Sequence, residues 1–397
     1  MPKIYPFKAL RPREELVSAV SAKSTDFPVK EDLIEELRTN ENTFHHVTKS
    51  HLSYAGAFQE PEKFLPFAAQ YIKKMKQKGV LIKEEKPSFY IYEQIRKDGK
   101  KFVGIIGLCS IDDHKENHIK KHEEIRPSRL KYLVELFKTT KIMGEPTLLA
   151  HKGTIELEDV ETEVIFDFES VDKKRHIIKR VDEKDSVKII SDQMTAIENF
   201  YIADGHHRSA STEQFNEKVN SLSNDRSMCY IIPEDQLEIL PFHRLIKGVV
   251  PIAPARLLSL LSEKFSVSLS ETPLYTIREK QTFGLYIDKQ WYKLEYTKPT
   301  ELLDVEIIEE YVVKEIFSIA DSRTDSQISF LPYTAGLDRL LDLVDSRTYN
   351  VAITSKECTF QEVRKVSDQE RTLPAKSTYI EPKLRSGMII QEFEVIK

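Results

Sequence analysis

Four apolar residues of strand type, Phe200-Tyr201-Ile202-Ala203, run through Asp204-Gly205 straight into a helical stretch that opens with His206-His207-Arg208 and continues to Val219. Nothing else in the chain constrains its architecture as much. A strand that passes into a helix across two residues leaves the two no room to separate, so the helix must pack on the sheet that holds the strand. Asp204 is a favoured N-cap type, and Gly205 admits backbone dihedrals closed to other residues. The first turn of a helix directs N–H groups and a partial positive charge at the preceding loop, and here Arg208 and two imidazoles stand beside it. That combination suits a phosphate, with Asp204 placed to hold Mg²⁺ or to accept a hydroxyl proton. The same residues also suit a capped turn in which Arg208 simply pairs with a carboxylate.

The chain around this motif alternates in the same way. Residues 147–151, 162–168, 175–181 and 228–232 read as strands, and 186–194 as a helix. Upstream, Phe64, Phe67, Ala68, Tyr71 and Met75 recur at helical spacing between Pro61 and Gly79, with the basic run 73–78 as the solvated end of that helix. Asp98-Gly99 between 88–95 and 101–108 is a hairpin signal. Residues 112–124 are polar and read as a surface loop, followed by a helix over 127–139 with Leu130, Leu133, Val134 and Phe137 on one face. Beyond Pro251 and Pro254 the pattern restarts. It predicts helices over 256–265, 305–317, 336–344 and 359–366, strands over 328–331 and 350–353, and a hairpin of 283–287 with 291–296 over Asp288-Lys289-Gln290. The expected class is α+β, a mixed α/β fold. A mixed sheet with a strand–loop–helix core fills residues 1–247, and a C-terminal α/β domain fills 248–397.

A chain of 397 residues is long enough for two or three cores. No apolar run approaches the roughly 20 residues of a membrane helix, and the opening Met1-Pro2-Lys3-Ile4 has no signal-peptide character, so a cytoplasmic location is expected. Cys109, Cys229 and Cys358 show no paired spacing and read as buried thiols. A net charge of −5 with interspersed acids and bases argues against nucleic acid as a partner. With 12 glycines there is no Gly-x-x-x-x-Gly-Lys loop, no Gly-x-Gly-x-x-Gly and no Gly-x-Ser-x-Gly, so a nucleotide site here must be of another kind. His114, His118 and His122 would share a face if 112–124 were helical, but no Cys or Glu–His signature supports a zinc site there. His45-His46 after Phe44 reads as a half-buried, hydrogen-bonded pair.

The run Ala203-Asp204-Gly205-His206-His207-Arg208 resembles the signature of a bacterial family known as domain of unknown function 1015, and further matches follow in order along nearly the whole chain. They are Pro6-Phe7 with Leu10-Arg11-Pro12, Asn40 with Phe44, His46 and Val47, His122-Glu123, Leu240-Pro241-Phe242-His243-Arg244, and Pro374-Ala375-Lys376-Ser377-Thr378-Tyr379 with Pro382-Lys383 and Gly387. Two departures stand out. Ser21-Ala22-Lys23-Ser24-Thr25-Asp26 replaces the family's Ser-Pro-Pro-Tyr-Asp, and Ser209-Ala210 replaces Tyr-Glu after the arginine. The motif is also similar to the phosphate-binding box of the ParB and sulfiredoxin superfamily, which uses nucleotides without a P-loop and includes kinases of free serine.

That resemblance implies a nucleotide-dependent phosphotransferase, using ATP or ADP with Mg²⁺ on a small hydroxylated metabolite such as free serine. Gly205, His207 and Arg208 would cradle phosphates, with Lys376, Lys383 and Arg385 adding positive charge if the C-terminal segment folds back. Asp204, His206, His207 and Glu123 are the catalytic candidates, Asp204 also being the metal candidate. Two other readings stay open: a ParB-like nucleotide switch without turnover, and a metal-dependent hydrolase on Asp204, His206 and His207. The expected partners are nucleotide and substrate, with no membrane, and a homodimer is left open.

Overall fold

The computed structural model describes residues 1–23, 30–53, 60–219, 225–247 and 253–393. Chain contacts group into two compact units. One is Met1–Lys121 with Ile125–Leu237 and Pro382–Lys397; the other is His122–Glu124 with Glu238–Glu381. Where the sequence suggested one boundary near residue 247, the chain changes units at Leu237–Glu238 and returns at Pro382. The return has a physical cause: Gln391–Glu392 pairs with Ile142–Met143 as a short antiparallel ladder, and Ile390 is buried in the helical core of the first unit.

The first unit is a mixed α/β structure built on a nine-stranded sheet. Its main path runs Ile119–Lys120, Phe200–Asp204, Thr147–His151, Arg226–Pro233, Lys101–Ser110, Phe89–Ile95, Arg175–Val181 and Glu163–Glu169, with Ile4–Tyr5 beside Lys101–Ser110. The expected hairpin over Asp98-Gly99 is present, Ile95 facing Lys101 and Tyr90 facing Ile106. Two pairings are parallel, Phe200–Asp204 with Ile119–Lys120 and Arg226–Pro233 with Thr147–His151. One core joins Ile105, Leu149, Ile202 and Ile231 to Ile190 and Met194 of the helix Lys184–Thr195. A second core joins Phe44 to Phe64, Leu65, Ile72 and Met75 of Pro61–Gln77 and to Leu133 and Leu136 of Pro127–Thr140. Phe67 was expected on that inner face but is exposed, because Leu65 and Ile72 fill the stripe in its place. The basic run lies on the surface, Lys76 pairing with Glu392, and Lys74 and Lys78 with Glu41.

In the second unit a six-stranded, wholly antiparallel sheet runs Phe265–Ser270, Gln290–Tyr296, Thr282–Ile287, Val351–Ser355, Phe242–Ile246 and Ile328–Pro332. Several predicted elements change in this unit. The helix expected over 256–265 ends at Leu261, and Phe265 starts a strand, since Phe265 and Val267 pack against the sheet core. The hairpin turns on two residues, Asp288 and Lys289, both at positive φ (47° and 59°), as a tight two-residue turn between right-twisted strands requires. The helix Phe360–Asp368 opens on a reciprocal cap between Thr359 and Glu362. All three cysteines are buried and free. Among the described residues no helix is long and apolar enough to cross a membrane.

Candidate phosphate site

The strand Phe200–Asp204 is buried from Phe200 to Ala203, and its ladder with Thr147–His151 slips by one residue between Ile202 and Asp204. A bulge of this kind re-aims the side chain that follows it. Gly205 then takes φ +94°, in the region L side chains rarely adopt, and the helix His206–Val219 begins at once. Phe215 anchors that helix against Phe137 and Phe393, at centroid distances of 6.4 and 4.9 Å.

Two cations converge on Asp204. Arg208, one turn into the helix, donates from Nη2 to Oδ2 at 2.9 Å, and Lys383, 179 positions away, donates from Nζ to Oδ1 at 3.1 Å. Burial works to raise the Asp204 pKa, but Lys383 and Arg208 override it and hold the carboxyl well below the usual range. Arg208 also pairs through Nη1 with Glu145 at 2.8 Å, and the other Glu145 oxygen accepts from Ser386 Oγ at 2.9 Å. A Cβ on Gly205 would lie 2.8 Å from Arg208 Nη2, so the guanidinium folds over the glycine. Arg129 has its pKa lowered chiefly by burial, with the charge of Arg208 acting the same way and those of Tyr132 and Glu145 opposing it.

The segment carrying Lys383 is tied down along its length. Gln94 Nε2 donates to the Lys383 carbonyl at 3.1 Å. Arg385 donates to Asp172 at 3.1 Å and to both the side chain and the carbonyl of Ser21. Ser21, the residue kept from the family's Ser-Pro-Pro-Tyr-Asp, thus holds Arg385; Asp26 lies outside the described residues. Arg385, expected to add positive charge if this segment folded back, fastens the strap that delivers Lys383.

Both histidines are set by their surroundings. His206 is buried, which pushes its pKa down to about 3 and keeps the ring neutral. His207 Nε2 accepts from the backbone N–H of Arg126 at 2.9 Å, just before the helix Pro127–Thr140. Ser209, where the family has tyrosine, is buried with its hydroxyl within 3.3 Å of the His114 ring. Residues 112–124 are therefore not a plain surface loop: Asp112–Lys115 is a helical turn, and burial lowers the His114 pKa to about 4. His114, His118 and His122 do not share a helix face, since the turn ends at Lys115 and Ile119–Lys120 is a strand. Among the described residues, the grouping with metal-ligand spacing is Asp113, Glu116 and His118, not Asp204, His206 and His207. With Lys383 and Arg208 on it, Asp204 already has the positive charge that a directly held Mg²⁺ would bring.

Asp204, Gly205, Arg208 and Lys383 therefore stand together, while Glu123 and Lys376 belong to the second unit. Lys376 there lies 5.0 Å from the centre of the Phe242 ring. Glu145 and Ser386 were missed; a lone glutamate after Gly144 carries no local pattern, and only the three-dimensional pairing to Arg208 singles it out.

Among solved structures the chain is similar to a mutant free serine kinase in complex with ADP, at 14% identity over 72% of this chain and 91% of that one, TM-score 0.41. It is similar to a conserved hypothetical protein from Pyrococcus furiosus at 16% identity, over 71% of this chain and 93% of that one, TM-score 0.39. It is also similar to SbnI with C-terminal truncation from Staphylococcus aureus at 14% identity, over 70% of this chain and 82% of that one, TM-score 0.40. No curated protein matches. Residues 4–321 match the model described as protein of unknown function (DUF1015), and the chain belongs to that family.

Proposed function

We propose that Gly205, Arg208 and Lys383 bind nucleotide phosphates and that the protein transfers a phosphoryl group to a small hydroxylated metabolite, with free serine as the first acceptor to test. The observation that carries this reading is the convergence of Arg208 and Lys383 on one carboxylate in front of a helix N-terminus. Asp204 holds both cations immediately before the first turn of the helix, whose N–H groups are open to an anion.

Phosphoryl transfer asks mainly for positioning and charge neutralisation, and the cluster supplies both. Phosphate oxygens would take the two cations from Asp204. With those cations drawn off, nothing holds the Asp204 pKa down, and the released carboxylate becomes the better proton acceptor that can take the acceptor's hydroxyl proton. Gly205 leaves the loop backbone open to close approach. His207, fixed by Arg126, borders the site, whereas His206 is buried with a neutral ring.

The test is a transfer screen with labelled ATP and ADP against serine and other hydroxylated metabolites, run on the intact chain and on Asp204→Asn. Transfer to one acceptor that disappears in the variant supports the reading. Nucleotide binding with no transfer to any acceptor replaces it with the switch.

A further inference from the structure

In the second unit, the stretch predicted as a plain helix over 305–317 is one α-turn, Asp304–Ile308, followed by a π-helix over Glu309–Lys314. Glu315 N donates to the Glu310 carbonyl at 3.2 Å and Phe317 N to the Val312 carbonyl at 3.1 Å, both across five residues. The wider turn has a cause in the sequence. Ile307-Ile308 and Val312-Val313 are apolar pairs five apart, and all four are buried in the core of this unit. It also has a consequence, since π-turns collect at functional sites. Glu306, Glu309, Glu310 and Lys314 line a cavity of about 390 Å³ whose other walls include Leu302, Leu373, Pro374 and Ala375.

Most of the charges in this cavity are matched. Lys314 pairs with Glu310 at 2.9 Å, Arg371 with Glu306, and Arg323 with both Glu124 and Asp321. Glu309 is the exception. It is 8% exposed and its Oε2 has no hydrogen-bond partner among the described residues. Arg244, fully buried, feels the Glu309 charge at longer range, but no ion pair joins them. Arg244 Nε and Nη2 likewise lack hydrogen-bond partners among the described residues, so Glu309 Oε2 is left without a hydrogen bond, a costly state that a cation entering the cavity can relieve. A bare divalent ion would want several open carboxylates, and this volume, walled by charged residues together with Leu302, Leu373, Pro374 and Ala375, is of small-molecule size.

We propose that the cavity binds a small organic cation: a protonated amine on a short carbon skeleton, with the ammonium on Glu309 and the skeleton against Leu302, Leu373 and Pro374. The test uses the full chain with ethanolamine, 1,4-diaminobutane and 1,5-diaminopentane, and with 1,4-butanediol as the uncharged control, read by calorimetry and by thermal shift. We expect at least one amine to bind and raise Tm by ~2 °C or more at ~10 mM, while the diol does neither. Glu309→Gln, which keeps the shape and removes the charge, should weaken amine binding roughly tenfold or more. Ala320→Trp, an exposed cavity position away from the core, should weaken it too without touching Glu309. Equal binding of amine and diol overturns the proposal, as does no amine binding at ~10 mM. So does a Glu309→Gln variant that melts lower yet binds amine unchanged, which would give Glu309 the sole task of supporting Arg244.

Discussion

Replacing Gly205 by alanine tests how tightly the loop, the arginine and the two carboxylates are coupled. A Cβ at φ +94° is strained wherever it sits, by about 1–3 kcal/mol. It would also lie 2.8, 2.9 and 3.0 Å from Nη2, Nε and Cζ of Arg208. A long side chain normally swings aside, but this guanidinium is held at 2.9 Å by Asp204 and at 2.8 Å by Glu145. Moving it lengthens both pairs. For half-buried groups, between the exposed and buried limits, that adds about 1–2 kcal/mol. The sum is about 3 kcal/mol, or roughly 6–12 °C in Tm for a unit of this size. In an Arg208→Ala background the collision disappears and only backbone strain remains. A double-mutant cycle measured by urea unfolding should therefore show a coupling of about 1–2 kcal/mol, the alanine costing less once Arg208 is gone. Costs that add to within about 0.3 kcal/mol would refute the packing of Arg208 over Gly205.

Other outcomes follow from the same cluster. Lys383→Met removes one of the two cations on Asp204, whose folded pKa lies below its unfolded value. Its stability contribution is present above about pH 4 and lost on acidification, so the variant's acid-unfolding midpoint, followed by circular dichroism, should move to higher pH. His45, His114, His176, His206 and His243 are all pushed by burial to between about 3 and 4, so the folded state refuses protons that the unfolded chain takes up below about pH 6.5. Stability should fall as pH drops from about 6.5 to 4, and His206→Asn should remove about one proton from that slope. Ser21→Ala frees one hold on Arg385 and loosens the strap. It should weaken nucleotide binding several-fold and lower Tm by about 3–12 °C, since one hydrogen bond to a charged group is worth about 1.5–3 kcal/mol.

Much of this was legible in the sequence because local periodicity reported it. The strand–glycine–helix passage at 200–219, the hairpin over Asp98-Gly99 and the helix from Pro61 all rest on contacts between near neighbours. The site's second half was not of that kind. Lys383 was readable only through family resemblance and its charge, because its partner lies 179 residues away. Glu145 left no trace at all. Phe265 was drawn into the preceding leucine pattern, although Val267 and Leu269 already alternate as a strand. Residues 305–317 looked α-helical because charge and apolar residues mix at roughly the right density; the five-residue interval between Ile307-Ile308 and Val312-Val313 was the signal for the wider turn. His114 was misplaced for the opposite reason: a polar stretch hid one buried ring that a helix elsewhere in the chain contacts.

The central claim, a phosphate site made by Arg208 and Lys383 on Asp204, is tested most directly by calorimetric titration with ATP, ADP and CTP in the presence of magnesium. The titrations are run on the intact chain and on Arg208→Ala and Lys383→Met. Saturable binding of one nucleotide, lost in both variants while each still melts cooperatively, is the predicted result. Binding that survives both substitutions, or no binding of any of the three, would contradict it and leave Asp204 as a structural ion-pair centre.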